Sequence, residues 1–222
     1  MAQLLSAAGV PCSHERVFTG RLGDSVDPAS LIADSSWLAA PFLDKLPAGS
    51  LVLHQTRDPL AVVTSHVARG FFDGRRYERP LWKHVLKKIL SSRPSGQYRL
   101  IALVREVLPN VFAERNPVQR AARFWIEWNS LVESNARSLG LEYLTYRVED
   151  MESSLLTSLV RRISGKSLAP MEGHRALASV PTNVNTGPQR TLLSLAELGL
   201  LRDEFAATAN SYGYDVSDNA DS

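Results

Sequence analysis

The residues best suited to chemistry stand in the segment LVLHQTRDPLAVVTSH, residues 51–66. An apolar run ends at Thr56, Arg57 and Asp58 follow it, and Ser65 comes eight residues after the arginine. A planar guanidinium and a hydroxyl can together bind one phosphate group through charge-assisted hydrogen bonds. A purely structural alternative also fits, in which Arg57 pairs with Asp58 or a nearby loop and Ser65 is simply tolerated in a helix.

Two elements must position this arginine and this serine. Residues 50–56, SLVLHQT, form an apolar and partly β-branched run that predicts a strand buried on both faces. Asp58 suits an N-cap and Pro59 suits the first helical position, which predicts a helix starting there. Ser65 then lies two turns along that helix, about 10 Å from its start and on the face of the cap. Because ligands of parallel α/β sheets bind at the carboxyl ends of strands, Arg57 stands where a ligand is expected.

The rest of the chain alternates between predicted strands and helices. Strand-like runs are VPCSHERVF and LEYLTYRVED. The clearest helix is NPVQRAARFWIEWNSLVESNARSLG, capped by Asn116, opened by Pro117 and closed by Gly140. Other helices are predicted for MAQLLSAAGV, for DSSWLAAPFLDKL with Asp34 or Ser35 as its cap, for PLWKHVLKKIL, for SSLLTSLVRRISG and for SLAELGLLRDEFAATANSYGY. This alternation predicts one α/β domain over residues 1–215, with a parallel sheet covered on both faces, and a flexible tail at 216–222.

The composition narrows the class of protein. The chain has 222 residues, of which 44% are hydrophobic, as expected for a packed core rather than a disordered chain. Its net charge of +2 does not predict nucleic-acid binding. The single cysteine, Cys12, excludes an internal disulfide and leaves no thiol cluster for zinc. A signal-peptide pattern and an apolar run of about 18 residues are both missing, so a cytoplasmic protein without membrane contact is expected, its oligomeric state left open.

Several stretches, in their order along the chain, resemble the sulfotransferases. HQTRDPLAVVTSH is similar to the segment with which these enzymes bind the 3′-phosphate of their donor nucleotide. LLSAAGVPCSHERVF, ARFWIEWN, YLTYRVEDM and the closing YGY also resemble stretches of bacterial sulfotransferase-like proteins. The resemblance covers most of the chain and implies a P-loop NTPase-like fold, a three-layer sandwich around a parallel sheet.

The resemblance implies an enzyme that transfers a sulfuryl group from 3′-phosphoadenosine 5′-phosphosulfate to a hydroxyl or amine of a carbohydrate or small-molecule acceptor, without a metal. Arg57 and Ser65 would bind the 3′-phosphate, and Arg190, in the loop NVNTGPQR, would also reach it. Glu15 or His14 would accept the proton of the acceptor, the alternative being a surface pair that orients a loop. Positioning and charge stabilisation would provide most of the catalysis.

The stretch YRVED, residues 146–150, lies at the end of the second strand-like run and carries charged residues. One of them is a candidate for contacting the nucleotide or for bracing its loop. Structural salt bridging is an equally good interpretation.

One landmark of the sulfotransferases is missing from this sequence. The family has a first strand and then a glycine-rich loop whose backbone N–H groups hold the 5′-phosphosulfate. Here MAQLLSAAGV begins inside the first helix, and RISGKS, residues 162–167, follows a helix rather than a strand. The expectation is that Met1 is an internal methionine and that the natural protein starts upstream. The alternatives are a shortened homologue that binds nucleotide or a partner without catalysis and, less well supported without a Walker loop, a P-loop kinase or hydrolase.

Overall fold

The computed structural model describes four stretches of the chain, residues 1–14, 32–73, 96–180 and 193–216. The α-helices of these stretches are α1 (Ala2–Ala7), α2 (Pro59–Ala68), α3 (Gly96–Val107), α4 (Pro117–Ser138), α5 (Ser153–Ser164), α6 (Pro170–Ser179) and α7 (Arg202–Ser211). The strands are β1 (Cys12–His14), β2 (Ala33–Ser35), β3 (Leu51–Thr56) and β4 (Glu142–Arg147). Segments of 3₁₀ helix cover Trp37–Lys45, Pro109–Ala113, Val148–Asp150 and Leu195–Leu201.

The described strands form two small parallel sheets. β1 pairs with β2, with Cys12 opposite Ala33, and β3 pairs with β4, with Leu51 opposite Glu142. This confirms an α/β chain with parallel strands. The finer prediction, a three-layer sandwich of the sulfotransferase type, stays a prediction.

The chain divides into two compact units. The first comprises Met1–Thr56 and Leu131–Gln189, and the second comprises Arg57–Ser130 and Arg190–Ser222. All four described strands belong to the first unit. In the part of the chain that the structure describes, no helix is both long and apolar enough to cross a bilayer.

The first unit has a core built from its helices. Leu4, Leu5 and Ala8 of the α1 region are buried, and Gly9 ends that helix with a φ of 80°. They pack against buried side chains of the other helices of the unit, Leu156 and Val160 of α5 and Ala176 of α6. The strand β3 is covered separately, where Val52 packs with Leu43 and Ala136.

The strand β3 corrects one prediction. Val52, His54 and Thr56 are buried, but Gln55 is exposed and Leu53 is only partly covered. The predicted burial on both faces is therefore wrong, because alternate side chains of β3 point to opposite faces and only one of these faces meets the core.

The segment DSSWLAAPFLDKL also differs from its prediction. Asp34 and Ser35 lie in β2 rather than at a helix cap, and Ser36 takes the cap position without a side-chain hydrogen bond. The segment after Ser36 is 3₁₀ rather than α-helix, and Phe42, next to Pro41, has non-helical angles (φ −123°, ψ 20°). Pro41 has no N–H to donate and its ring crowds the preceding turn, which breaks the helix there.

The predicted helix ends around the second unit are confirmed. Asp58 Oδ1 accepts a hydrogen bond of 2.8 Å from the backbone N of Ala61, and Pro59 opens α2. On α4 the side chain of Asn116 likewise accepts from the backbone N of Gln119 at 2.9 Å.

The glycines predicted to end helices are confirmed as well. The structure also contains two helices that were not predicted. Gly140 (φ 62°) follows α4 and Gly165 (φ 70°) follows α5. The helices α3 and α6 were not predicted. The predicted helix at residues 80–90 and most of the predicted tail lie outside the described residues.

Candidate functional site

The corner between β3 and α2 places Arg57 directly after the last strand residue, Thr56. Its side chain is exposed, and among the described residues it forms no hydrogen bond and no ion pair. Of the structural alternative, neither the pairing with Asp58 nor a pairing with a described loop is therefore seen. An exposed guanidinium that is not engaged within the chain is free to bind an anion.

Ser65 lies in α2 as predicted, two turns beyond the cap. Its backbone carbonyl accepts from the N–H of Arg69 at 3.1 Å, whereas its hydroxyl makes no hydrogen bond to any described residue. Arg57 and Ser65 are thus carried by one rigid element, the capped helix α2 with the residue before its cap. Both keep their side-chain donors available.

His14 ends β1 in the first unit and is exposed. Its Nδ1 lies 2.9 Å from the carbonyl oxygen of Ser35 on β2. A carbonyl oxygen can only accept, so the hydrogen bond requires a proton on Nδ1 and leaves Nε2 of the neutral ring with a lone pair. This tautomer suits a proton acceptor. The other two predicted site residues, Glu15 and Arg190, lie outside the described residues.

The stretch after β4 holds an internal ion pair. Arg147 donates to both carboxylate oxygens of Asp150, at 2.6 and 2.7 Å, and these hydrogen bonds lower the pKa of that carboxyl. Tyr146 donates from its hydroxyl to Gln55 at 2.9 Å, and burial raises the pKa of Tyr146. Of the two interpretations of YRVED, the arrangement favours structural salt bridging.

A polar pair between β3 and β4 was missed by sequence reasoning. His54 Nδ1 lies 2.7 Å from the hydroxyl of Tyr143, and His54 is buried. Burial raises the pKa of Tyr143 to about 12, so its hydroxyl keeps its proton, and the His54 tautomer decides which of the two groups donates. The sequence signal was a histidine inside an apolar strand, but its partner stands 89 residues away.

A charged cluster in the second unit was also missed. Arg123 of α4 donates from Nε to Glu114 at 3.0 Å and from Nη1 to Glu204 of α7 at 2.7 Å. A third carboxylate, Glu127, lies 3.9 Å from Arg123, and burial raises its pKa. One arginine therefore holds three carboxylates together, and its contact with Glu204 ties α7 to α4.

The predicted site residues do not line the groove described below, and the described stretches hold no metal-binding cluster. No group of three or more His, Cys, Asp and Glu side chains in the described stretches could hold a metal ion. A groove of about 430 Å³ runs along α7 in the second unit. It is lined by Leu195, Arg202, Asp203, Ala206, Asn210, Asp215 and Val216. None of the predicted site residues contributes to it.

No family model matches the sequence, and neither a curated protein nor a solved structure matches it.

Proposed function

We propose that the protein is a sulfotransferase that binds 3′-phosphoadenosine 5′-phosphosulfate and transfers its sulfuryl group to a hydroxyl or amine of a carbohydrate or small-molecule acceptor. The observation that carries the proposal is the corner between β3 and α2. There Arg57 is exposed and makes no contact with a charged group of the described chain, and the Ser65 hydroxyl is equally unengaged. The resemblance of HQTRDPLAVVTSH to a 3′-phosphate-binding segment supports the same assignment.

The chemistry of the corner suits a dianionic phosphate. Arg57 offers several N–H donors in a plane, and Ser65 offers one O–H donor from the same helix. The N-terminal end of α2 carries a partial positive charge that further favours an anion beside it. In this proposal the 3′-phosphate serves to position the nucleotide, because the reaction takes place at the 5′-phosphosulfate end.

The transfer step needs a proton acceptor. The acceptor oxygen or nitrogen forms a bond to sulfur as the bond between sulfur and the bridging phosphate oxygen breaks, and the acceptor loses a proton. Nε2 of His14, left basic by the hydrogen bond from Nδ1 to Ser35, is the described group suited to take that proton. Glu15 remains the other candidate for the base, and Arg190 remains a candidate for the nucleotide.

The test is calorimetric titration with adenosine 3′,5′-bisphosphate. Replacing Arg57 with alanine should cost about 1.5 to 3 kcal/mol, as for a lost charged hydrogen bond, which is roughly a 10- to 150-fold weaker Kd. Adenosine 5′-monophosphate lacks the 3′-phosphate, so its affinity should not respond to Arg57→Ala. The matched control is Arg175→Ala, which removes an exposed arginine of α6 and changes the net charge equally.

Three results would count against the proposal. The folded protein could fail to bind the bisphosphate, Arg175→Ala could weaken binding as much as Arg57→Ala, or Arg57→Ala could weaken both nucleotides equally. A separate assay with radiolabelled donor and a panel of hydroxyl and amine acceptors tests transfer. Arg57-dependent binding without transfer to any acceptor would reassign the protein to nucleotide binding without catalysis.

A further inference from the structure

His66, the residue after Ser65, lies among aromatic rings. The imidazole of His66 stacks on Phe71, with ring centroids 5.3 Å apart and ring planes at 19°. It also meets Phe72 at 5.8 Å and Phe124 at 5.5 Å, both tilted. We call these four residues the ring cluster. Because Phe124 belongs to α4, the ring cluster fastens α2 to α4 within the second unit.

One nitrogen of this imidazole is unsatisfied. Nδ1 of His66 is buried and has no hydrogen-bond partner. A buried polar atom without a partner is unfavourable, and a phenyl ring in the same place would carry no such penalty. The neutral ring tolerates the site by leaving Nδ1 as an unprotonated acceptor. A protonated ring would place a second N–H donor, and a full charge, among three phenyl rings.

The charged surroundings also disfavour protonation. Among the described residues, the charged residues within four positions of a member of the ring cluster are Arg69, Asp73, Arg120, Arg123 and Glu127. Of these, Arg69 is the one whose charge acts on His66, and it repels a second positive charge. Burial, with Arg69 as the smaller cause, lowers the pKa of His66 to about 4. Arg120 of α4 donates to the carbonyl of Phe72 at 3.4 Å, which places a second guanidinium beside the ring cluster.

We propose that neutral His66 is the anchor of α2 and that its protonation releases this helix from α4 in acid before the rest of the protein unfolds. The release follows from the ring cluster alone. Its consequence for ligands rests on the proposed function, because α2 carries Ser65 and begins beside Arg57. At low pH the movement of α2 would then disrupt the proposed phosphate site.

The direction and size of the effect follow from linkage. The pKa of His66 is lower in the anchored state than the ordinary 6.5, so anchoring is fully favoured above that pH and weakens as the pH falls toward 4. At about pH 5 the ratio of released to anchored α2 should be about 30 times its value at about pH 7.5.

Hydrogen exchange measured by mass spectrometry at about pH 7.5 and about pH 5, corrected for intrinsic rates, tests the proposal. Peptides from α2 should lose about 30-fold in protection at the lower pH, while peptides from β3 and β4 keep theirs. His66→Phe keeps an aromatic ring but cannot titrate, so its α2 peptides should stay protected. His174→Gln, which removes an exposed histidine of α6, should behave like the unchanged protein.

The proposal fails if α2 keeps its protection at the lower pH, if all peptides lose protection equally, or if His66→Phe loses it as the unchanged protein does. Should His66→Phe not fold, an NMR titration of the His66 ring in the unchanged protein replaces it, and a midpoint near 6.5 with α2 still protected would overturn the anchor. A titration with adenosine 3′,5′-bisphosphate at both pH values separates the two proposals. If α2 is released at the lower pH but the protein binds no nucleotide at neutral pH, the proposed function is wrong and the proposal that His66 anchors α2 is supported.

Discussion

Arg123 should be the most sensitive charged position of the second unit. Its side chain is 18% exposed and donates to Glu114, which is 21% exposed, and to Glu204, which is 49% exposed. Replacing it with methionine keeps most of the apolar stem but removes the only cation that contacts these carboxylates in the described residues. The well-covered bond to Glu114 accounts for about 1.5 to 3 kcal/mol, and the solvent-screened contact with Glu204 for about 0.5 kcal/mol. We expect Arg123→Met to lower the free energy of unfolding by about 2 to 3.5 kcal/mol.

The loss of unfolding free energy in Arg123→Met should depend on pH in a defined direction. Burial already raises the pKa of Glu127, and the charge of Arg123 opposes that rise. Without Arg123 the folded-state pKa of Glu127 rises further above its unfolded value. A carboxyl with a raised folded-state pKa destabilises the fold while it is charged, and this cost disappears as the pH falls through that pKa. The deficit of Arg123→Met should therefore be larger at about pH 7.5 than at about pH 5.

The assay is urea denaturation, because guanidinium salts would screen the ion pairs. Trp125 is a suitable fluorescent reporter, since its ring lies 5.3 Å from that of Phe205 in the second unit. The matched control on the same helix is Arg137→Met, which breaks an exposed pair with Glu133 and should cost at most about 0.5 kcal/mol. Equal losses for the two variants, or a deficit that grows as the pH falls, would refute this reasoning.

Two further changes test the local interpretation of helices. Asp58→Ala removes the acceptor for the Ala61 N–H and should destabilise the protein by about 1 kcal/mol in urea denaturation, with Asp58→Asn recovering most of the loss. Equal stability of Asp58→Ala and the unchanged protein would show that the cap contributes nothing. Gly173→Ala should cost about 1 kcal/mol, because its new methyl group would clash with Ser153 Oγ between α5 and α6. Adding Ser153→Ala should relieve the clash and reveal the better helix propensity of alanine at position 173. A Gly173→Ala single variant that is more stable than the unchanged protein would contradict the predicted clash.

The helix boundaries were predictable because their causes are local. Asp58 with Pro59, and Asn116 with its following proline, are capping signals that act within three residues of the helix start. Gly165 ends α5 by adopting a φ of 70°, which other residues rarely do. Such signals need no knowledge of the tertiary structure.

The errors come from interactions between distant parts of the chain. Asp34 suits a helix cap locally, but pairing with β1 draws it into a strand. The helix α6 was missed although Pro170 and Glu172 are good starting signals, and Gly173 stands in its interior. That glycine is explained only by its close approach to Ser153 of α5.

The candidate site was likewise predictable where its signals are local. A strand followed by a capped helix located Arg57 and Ser65, and neither side chain is engaged by another described residue, which agrees with a binding role. The ring cluster could not have been predicted from spacing. Phe71 and Phe72 lie close to His66 in the sequence, but Phe124 is 58 residues away on another helix.

The register of the two sheets sets an order on folding. Cys12 and Ala33 are 21 residues apart, whereas Leu51 and Glu142 are 91 residues apart. Closing the longer loop costs about 1.3 kcal/mol more chain entropy than closing the shorter one, and distant pairings of this kind slow folding. Residues 57–130, which belong to the second unit, are inserted between the two strands of that distant pair. During synthesis β3 therefore has no described strand to pair with until the chain has been extended through Arg147, and the second unit has most of that interval in which to begin its own helices.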